Sequence, residues 1–63
     1  MNEVSIDYLN QLLDERNAWG IIPRECFLAF DCCSNHRIAV DNRTNDFRTE
    51  EFEDLLEAQN YLA

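Results

Sequence analysis

Apolar side chains fall into three blocks along the chain, separated by polar turns. In the first block Leu9, Leu12 and Leu13, with Arg16 a turn further on, recur at the spacing of one helical face. Asp7, Gln11, Asp14 and Glu15 lie toward solvent. Ser5 is a good N-cap, and Val4 before it is placed to staple against Leu9. Gly20 supplies the left-handed conformation that closes a helix, and Pro23 prevents its continuation. The pattern predicts a helix over Ile6–Trp19.

The second block opens on residues 25–32. Cys26, Leu28 and Phe30 share one parity, and Phe27 and Ala29 share the other. Both faces are partly apolar, which predicts a strand covered on two sides. The run is too short and too aromatic to prefer a helix. Ser34 and Asn35 make a turn, and residues 37–41 return as a second strand with Ile38 and Val40 facing inward. A second turn at residues 42–46 puts Asn45 where a short hairpin loop wants a left-handed residue.

The third block admits two readings. Thr49 can cap a long helix, with Glu50 and Glu51 in its favourable first turn. Alternatively a third strand runs over residues 47–52, and Asp54 caps a shorter helix through a capping box with Glu57. The second reading is preferred, because a two-stranded hairpin alone is marginal and a third strand gives the helices a sheet to cover. Leu55, Leu56, Ala58 and Leu62 then form the apolar face of the last helix, with Tyr61 at its edge. The expected fold is a single small α+β domain over residues 1–63. Its expected order is helix, three-stranded antiparallel meander, helix (αβββα).

Charge narrows the function. Thirteen Asp and Glu stand against five Arg and no Lys, a formal net charge of −8. Direct nucleic-acid binding needs a basic face to displace counterions, and adhesion to an anionic membrane needs the same sign. Neither is expected. No apolar run approaches the ~18 residues of a membrane span, and no basic-then-apolar leader opens the chain, so a cytoplasmic location is expected. The three cysteines, Cys26 and the adjacent Cys32 and Cys33, read as reduced thiols rather than a disulfide framework. A chain this short buries only ~60% of its unfolded surface, so a homodimer is expected, joined at an edge strand around residues 26–30 or at Trp19, Ile21 and Ile22.

Candidate chemistry is sparse. Cys26, Cys32, Cys33 and His36 place four soft or borderline ligands within eleven residues, which makes a small zinc-stabilised module the alternative reading. Their spacing is poor, since Cys32 and Cys33 point to opposite faces of an extended segment and no Cys-x-x-Cys knuckle is present. No cofactor is expected. A nucleophile built from Cys33, His36 and Asp31 lacks the positive neighbour that lowers a thiol pKa, so no enzyme activity is expected. The single Gly excludes a glycine-rich phosphate cradle.

The acidic pattern is the stronger signal. Glu50, Glu51, Glu53, Asp54 and Glu57 cluster near the end of the chain, and no basic residue follows Arg48. A single-sign surface repels itself unless something positive meets it. Solubility is the bland explanation; docking on a basic protein surface, by imitating nucleic-acid phosphates, is the functional one. Trp19 is expected in the core, with an exposed patch of Trp19, Ile21 and Ile22 that pairs with a second copy or a partner as its alternative role.

The stretch from Ile38-Ala39-Val40-Asp41-Asn42 through Glu50-Glu51-Phe52, then Ala58 and Tyr61-Leu62, resembles the tail of very small phage and prophage accessory proteins. In these an Asp-Asn turn and a Glu-Glu-Phe strand lead into a short helix. The likeness covers roughly the last two-fifths of the chain. This sequence departs from it in carrying Asn45 where Gly is common and in its longer first helix. The resemblance implies a phage-encoded protein that inhibits or redirects a host protein, such as a defence nuclease, and it carries no catalytic positions.

Overall fold

The computed structural model describes residues 2–63. The element order is β1 (Asn2–Val4), α1 (Ile6–Trp19), β2 (Cys26–Asp31), β3 (His36–Asp41), β4 (Arg48–Phe52) and α2 (Leu55–Leu62). The caps act as the sequence predicts. Tyr8 donates its backbone N–H to the Ser5 hydroxyl at 3.1 Å. Gly20 adopts φ 73° and donates to the Arg16 carbonyl at 2.7 Å, which ends α1. Asp54 caps α2 as expected, but it accepts from the Leu56 N–H at 2.9 Å rather than from that of Glu57, so the cap is not the expected capping box.

The sheet differs from expectation. It has four strands in the order β1-β2-β3-β4, and β1 runs parallel to β2, with Val4 opposite Ala29. The three-stranded antiparallel αβββα order is therefore wrong; the order is βαβββα in a mixed sheet. Three residues, Asn2, Glu3 and Val4, carry no alternating pattern that betrays a strand, and Val4 has a second reading as a helix staple. What makes them a strand is backbone pairing along β2, which no side chain encodes. A parallel neighbour needs a crossover, and α1 supplies it. β1 pairs with Phe27–Ala29 on one side of β2 and β3 pairs along the other, so residues 26–30 are not the edge strand that was expected.

Alternation in β2 feeds two cores, as its double parity predicts. Phe27 and Ala29 join Leu9, Leu12, Ile22 and Val40 under α1. Cys26 and Leu28 join Ala39, Ala58 and Leu62 under α2 on the opposite face. Ala39 and Ala58 are both fully buried, and with only a methyl group each they let α2 lie close to β3. Leu55 and Leu56 are exposed, against expectation. Ala58 and Leu62 are four apart and share a stripe, whereas Leu56 lies about 200° around the helix from Ala58 at ~100° per residue. Leu55 is on the stripe but in the first turn. Trp19 is 78% exposed and leaves the core to Ile22, which is 5% exposed.

One buried amide ties the loops together. Asn42 is wholly inaccessible to solvent and uses all of its polar groups. Its side-chain N–H donates to the Pro23 carbonyl at 2.9 Å, and its side-chain oxygen accepts the Phe47 N–H at 3.1 Å. Its backbone N–H donates to the Glu25 carbonyl, and its carbonyl accepts from Asn45, both at 3.0 Å. Asn45 has φ 64°, the left-handed conformation expected of it, and Phe47 has φ 51°. An aromatic residue there is strained by about 1–3 kcal/mol. The bond to Asn42, packing against the α1-side core and Arg16 5.7 Å above the ring offset that strain.

Replacing Asn42 by Ala orphans the Phe47 N–H and the Pro23 carbonyl together. Each buried unpaired group costs about 1–3 kcal/mol, so Asn42→Ala is expected to lose about 2–4 kcal/mol in urea denaturation. A loss below about 0.5 kcal/mol would show that the amide is dispensable.

Candidate partner-binding surface

β4 carries the acidic residues because it is an edge strand, solvated along its outer side and on much of both faces. It pairs with β3 alone, with Glu51 opposite Ile38 and Glu50 opposite Ala39. Opposed residues share a face, so Glu51 lies on the α1 side and Glu50 on the α2 side. Glu50, Glu51, Glu53, Asp54 and Glu57 are all exposed. They wrap the β4 edge from both faces rather than forming one flat patch. Asp54 is partly committed as a helix cap.

His36 stands inside this group. Its Nδ1 is 3.4 Å from Glu51 and its Nε2 is 3.6 Å from Glu53. On the other face Arg37 reaches the Glu53 carbonyl at 3.0 Å and lies 5.1 Å above the Phe30 ring. Phe52, in register with Arg37, packs on Tyr61 at 5.5 Å. These contacts fix the junction between β4 and α2, and so the direction in which Glu53, Asp54 and Glu57 project.

The four ligands of the zinc reading are not brought together. Cys26 is buried under α2, where its single S–H has two acceptors in reach, Asp41 at 3.8 Å and the Leu62 carbonyl at 4.0 Å. Cys32 and Cys33 are exposed on the β2–β3 turn, and His36 faces Glu51 and Glu53. Among the described residues no group of three or more His, Cys, Asp and Glu converges on a metal position. Nor does Asp31 orient His36 toward Cys33. Its carboxylate accepts the Cys33 N–H and the Ser34 hydroxyl, both at 3.0 Å, and serves the turn.

Sequence reasoning missed the apolar groove beside β4. α1 packs on β2, whereas α2 packs on β3 and β4 from the other side. The α1-side face of β3 and β4 is left half open, forming a groove of about 310 Å³ floored by Ile38 and Val40. Leu9 and Leu13 of α1 form one wall, Thr49 and Glu51 of β4 the other. Leu13 was expected in the core and is 40% exposed. Its position on the helical face is as predicted; only the lateral placement of α1 leaves it at a groove. Trp19 and Ile21, each 78% exposed, are remote in sequence from the acidic residues and form a separate apolar feature after α1.

Comparison with known proteins gives no match, whether to a family model, a curated protein or a solved structure. Among the described residues no helix is long and apolar enough to cross a membrane.

At the C-terminal end of β3, Asp41 is clasped by Arg43 through two side-chain bonds of 2.9 and 3.1 Å and a backbone N–H at 3.0 Å. The guanidinium bonds, followed by the backbone N–H, hold the Asp41 carboxyl at about 2, below its ordinary 3.8. Burial pushes the neighbouring Cys26 thiol up, against the pull of Arg43, which keeps it protonated. A carboxyl depressed on folding stabilises the fold above its unfolded value and loses that contribution as pH falls toward its folded one. Acid destabilisation between about pH 4 and pH 2 should therefore be shallower in Asp41→Asn than in the wild type. Urea melts across that range give the comparison, and parallel curves would contradict it.

Proposed function

We propose that this chain is a non-enzymatic protein-binding module whose acidic β4–α2 surface docks on a basic surface of its partner. One observation carries the reading. Five exposed acids, Glu50, Glu51, Glu53, Asp54 and Glu57, surround an open sheet edge, and no Lys or Arg lies anywhere in residues 49–63. An ordinary solvated strand and helix interleave both signs, because cross-strand and i,i+4 pairs of opposite charge stabilise them. Here, beyond Arg48 at the start of β4 and His36 beside Glu51 and Glu53, the surface is acidic, which favours a cationic partner. A basic nucleic-acid-binding groove fits that description, with the carboxylates standing where phosphates would. The resemblance of the chain's tail to phage accessory proteins sets the context, an inhibitor acting in the host cytoplasm on a host protein such as a defence nuclease.

Long-range attraction from such a field acts on association rate more than on dissociation. Against a partner captured from host lysate, the Glu53→Gln, Glu57→Gln double variant is expected to associate about tenfold more slowly at low salt. Its rate should also depend less on salt, and its fold should be no less stable. Unchanged association at low and moderate salt would reduce the acidity to an aid to solubility.

Self-association belongs to the same proposal and uses the other exposed feature, Trp19 with Ile21. Sedimentation equilibrium at micromolar concentration is expected to give a dimer of the 7.5 kDa chain, and Trp19→Ser with Ile21→Ser a monomer. A wild-type chain that sediments only at 7.5 kDa would remove the dimer.

A further inference from the structure

The uncovered half of the α1-side face has the dimensions of one more helix. Neighbouring strands lie about 4.8 Å apart, so the strip over β3 and β4 is about 10 Å wide, the diameter of a helix with its side chains. Its floor is Ile38 and Val40; Leu9 and Leu13 of α1 form one wall, Thr49 and Glu51 of β4 the other. β3 is six residues long, a length of about 20 Å that about 13 helical residues span. A helix seated on this floor lies beside α1 at the ordinary interaxial distance of about 8–10 Å.

Backbone hydrogen bonding decides the conformation of the occupant. The groove lies inboard of β4, on the face of the sheet, where no strand offers a free N–H or C=O. An extended segment laid there leaves its own backbone groups without partners, whereas a helix pairs them internally.

Charge decides its sequence. Asp7 and Asp14, three residues before and four after the groove-lining Asn10, flank it on α1 and are exposed. Glu51 is exposed on the β4 rim, 3.4 Å from His36. Arg16 stands at the Phe47 end of the groove, 5.7 Å over that ring, and Arg48, in register with Asp41, belongs to the α2 side. Both long rims are therefore acidic around an apolar floor.

We propose that an amphipathic helix of the partner protein docks in this groove alongside α1. Its aliphatic residues, spaced i, i+3, i+4 and i+7, sit on Ile38 and Val40, and Lys or Arg on its two flanks face Asp7 and Asp14 on one rim and Glu51 on the other. This rests on the acidic-surface reading above and names the partner's segment. A second copy offers no such helix: α1 carries Asp7, Asp14 and Glu15 against Arg16, and α2 carries Glu57 and no basic residue. Either would bring like charge to the rims.

A labelled peptide of about 16 residues, with leucines at that spacing and lysines on both flanks, tests the proposal. Fluorescence anisotropy with the full chain at low salt is expected to show saturable binding. Circular dichroism should show a gain of helix on mixing, since so short a helix is marginal alone. Three control peptides should each bind about tenfold more weakly: one of the same composition with its leucines spread around the helix, one with Glu in place of Lys, and one with a central Pro. Thr49→Phe fills the groove from an exposed strand position that accepts an aromatic, and Leu13→Lys charges a wall residue that is 40% exposed. Each should weaken the patterned peptide about tenfold, and Glu51→Gln several-fold. Amide shifts on binding should concentrate in residues 9–13 and 38–40.

If the spread-leucine or Pro peptide binds as well as the patterned one, or Thr49→Phe leaves its binding unchanged, helix docking is overturned while the acidic-surface reading survives. Equal binding by the Glu peptide, or no binding by any lysine peptide, overturns both. A wild-type dimer that Leu13→Lys converts to a monomer would place a second copy in the groove and also overturn the proposal.

Discussion

Everything in this molecule follows from covering both faces of a four-stranded sheet with two short helices. Strands lie about 4.8 Å apart and a helix with its side chains is about 10 Å across, so one helix covers about two strands. α1 lies over β2 and α2 over β3 and β4, on opposite faces. Each face is therefore half covered. β2 and β3, the inner strands, are buried on both faces because each core reaches the neighbouring inner strand: Val40 of β3 joins the α1-side core and Leu28 of β2 the α2-side core, and Phe27, Leu28, Ala39 and Val40 lose nearly all exposure. The uncovered halves become grooves, one beside β4 and another of about 440 Å³ near β1, where Phe30 and Leu55 remain exposed.

Such a thin core leaves the loops to be fixed by polar bonds. Asn42 does this for the segment after α1 and for the β3–β4 turn together, and it succeeds because none of its groups is left unpaired. In a buried site a fully satisfied amide holds two segments in one geometry, whereas an apolar residue of the same size would leave the Phe47 N–H and the Pro23 carbonyl without partners. The strained φ of Phe47 is held by that bond and by the packing of its ring. Because Phe47 also lines the groove beside β4, the amide that stabilises the turn shapes one end of that groove as well.

Charge is distributed to match. Three of the five arginines are held in the molecule's own contacts: Arg43 clasps Asp41, Arg37 lies over Phe30 and holds the Glu53 carbonyl, and Arg16 lies over Phe47. The carboxylates around β4 have His36 among them, and Arg48 at the start of the strand lies 3.9 Å from Asp46. With most cations committed elsewhere, the open edge keeps a negative field.

The residues alone determined the local structure. Ser5, Gly20 and Asp54 mark the helix ends because capping is a contact between near neighbours in sequence, and the double parity of residues 26–29 announced a strand buried on two faces. Asn45 was legible as a left-handed turn residue for the same local reason. The acidic composition around Glu50 to Glu57 was equally plain. What only the tertiary structure decided was pairing and lateral position. Asn2, Glu3 and Val4 became a strand through backbone bonds to β2, Trp19 was left outside the core while Ile22 entered it, and Leu13 came to line a groove instead of filling an interior. The three cysteines and His36, close in sequence, were separated because Cys26 was taken by the α2-side core, Cys32 and Cys33 lie on the exposed turn, and His36 faces Glu51 and Glu53. Capping and periodicity act over a few residues and are written in side chains; which strand lies at an edge, and which half of a face a helix covers, depends on contacts between segments distant in sequence.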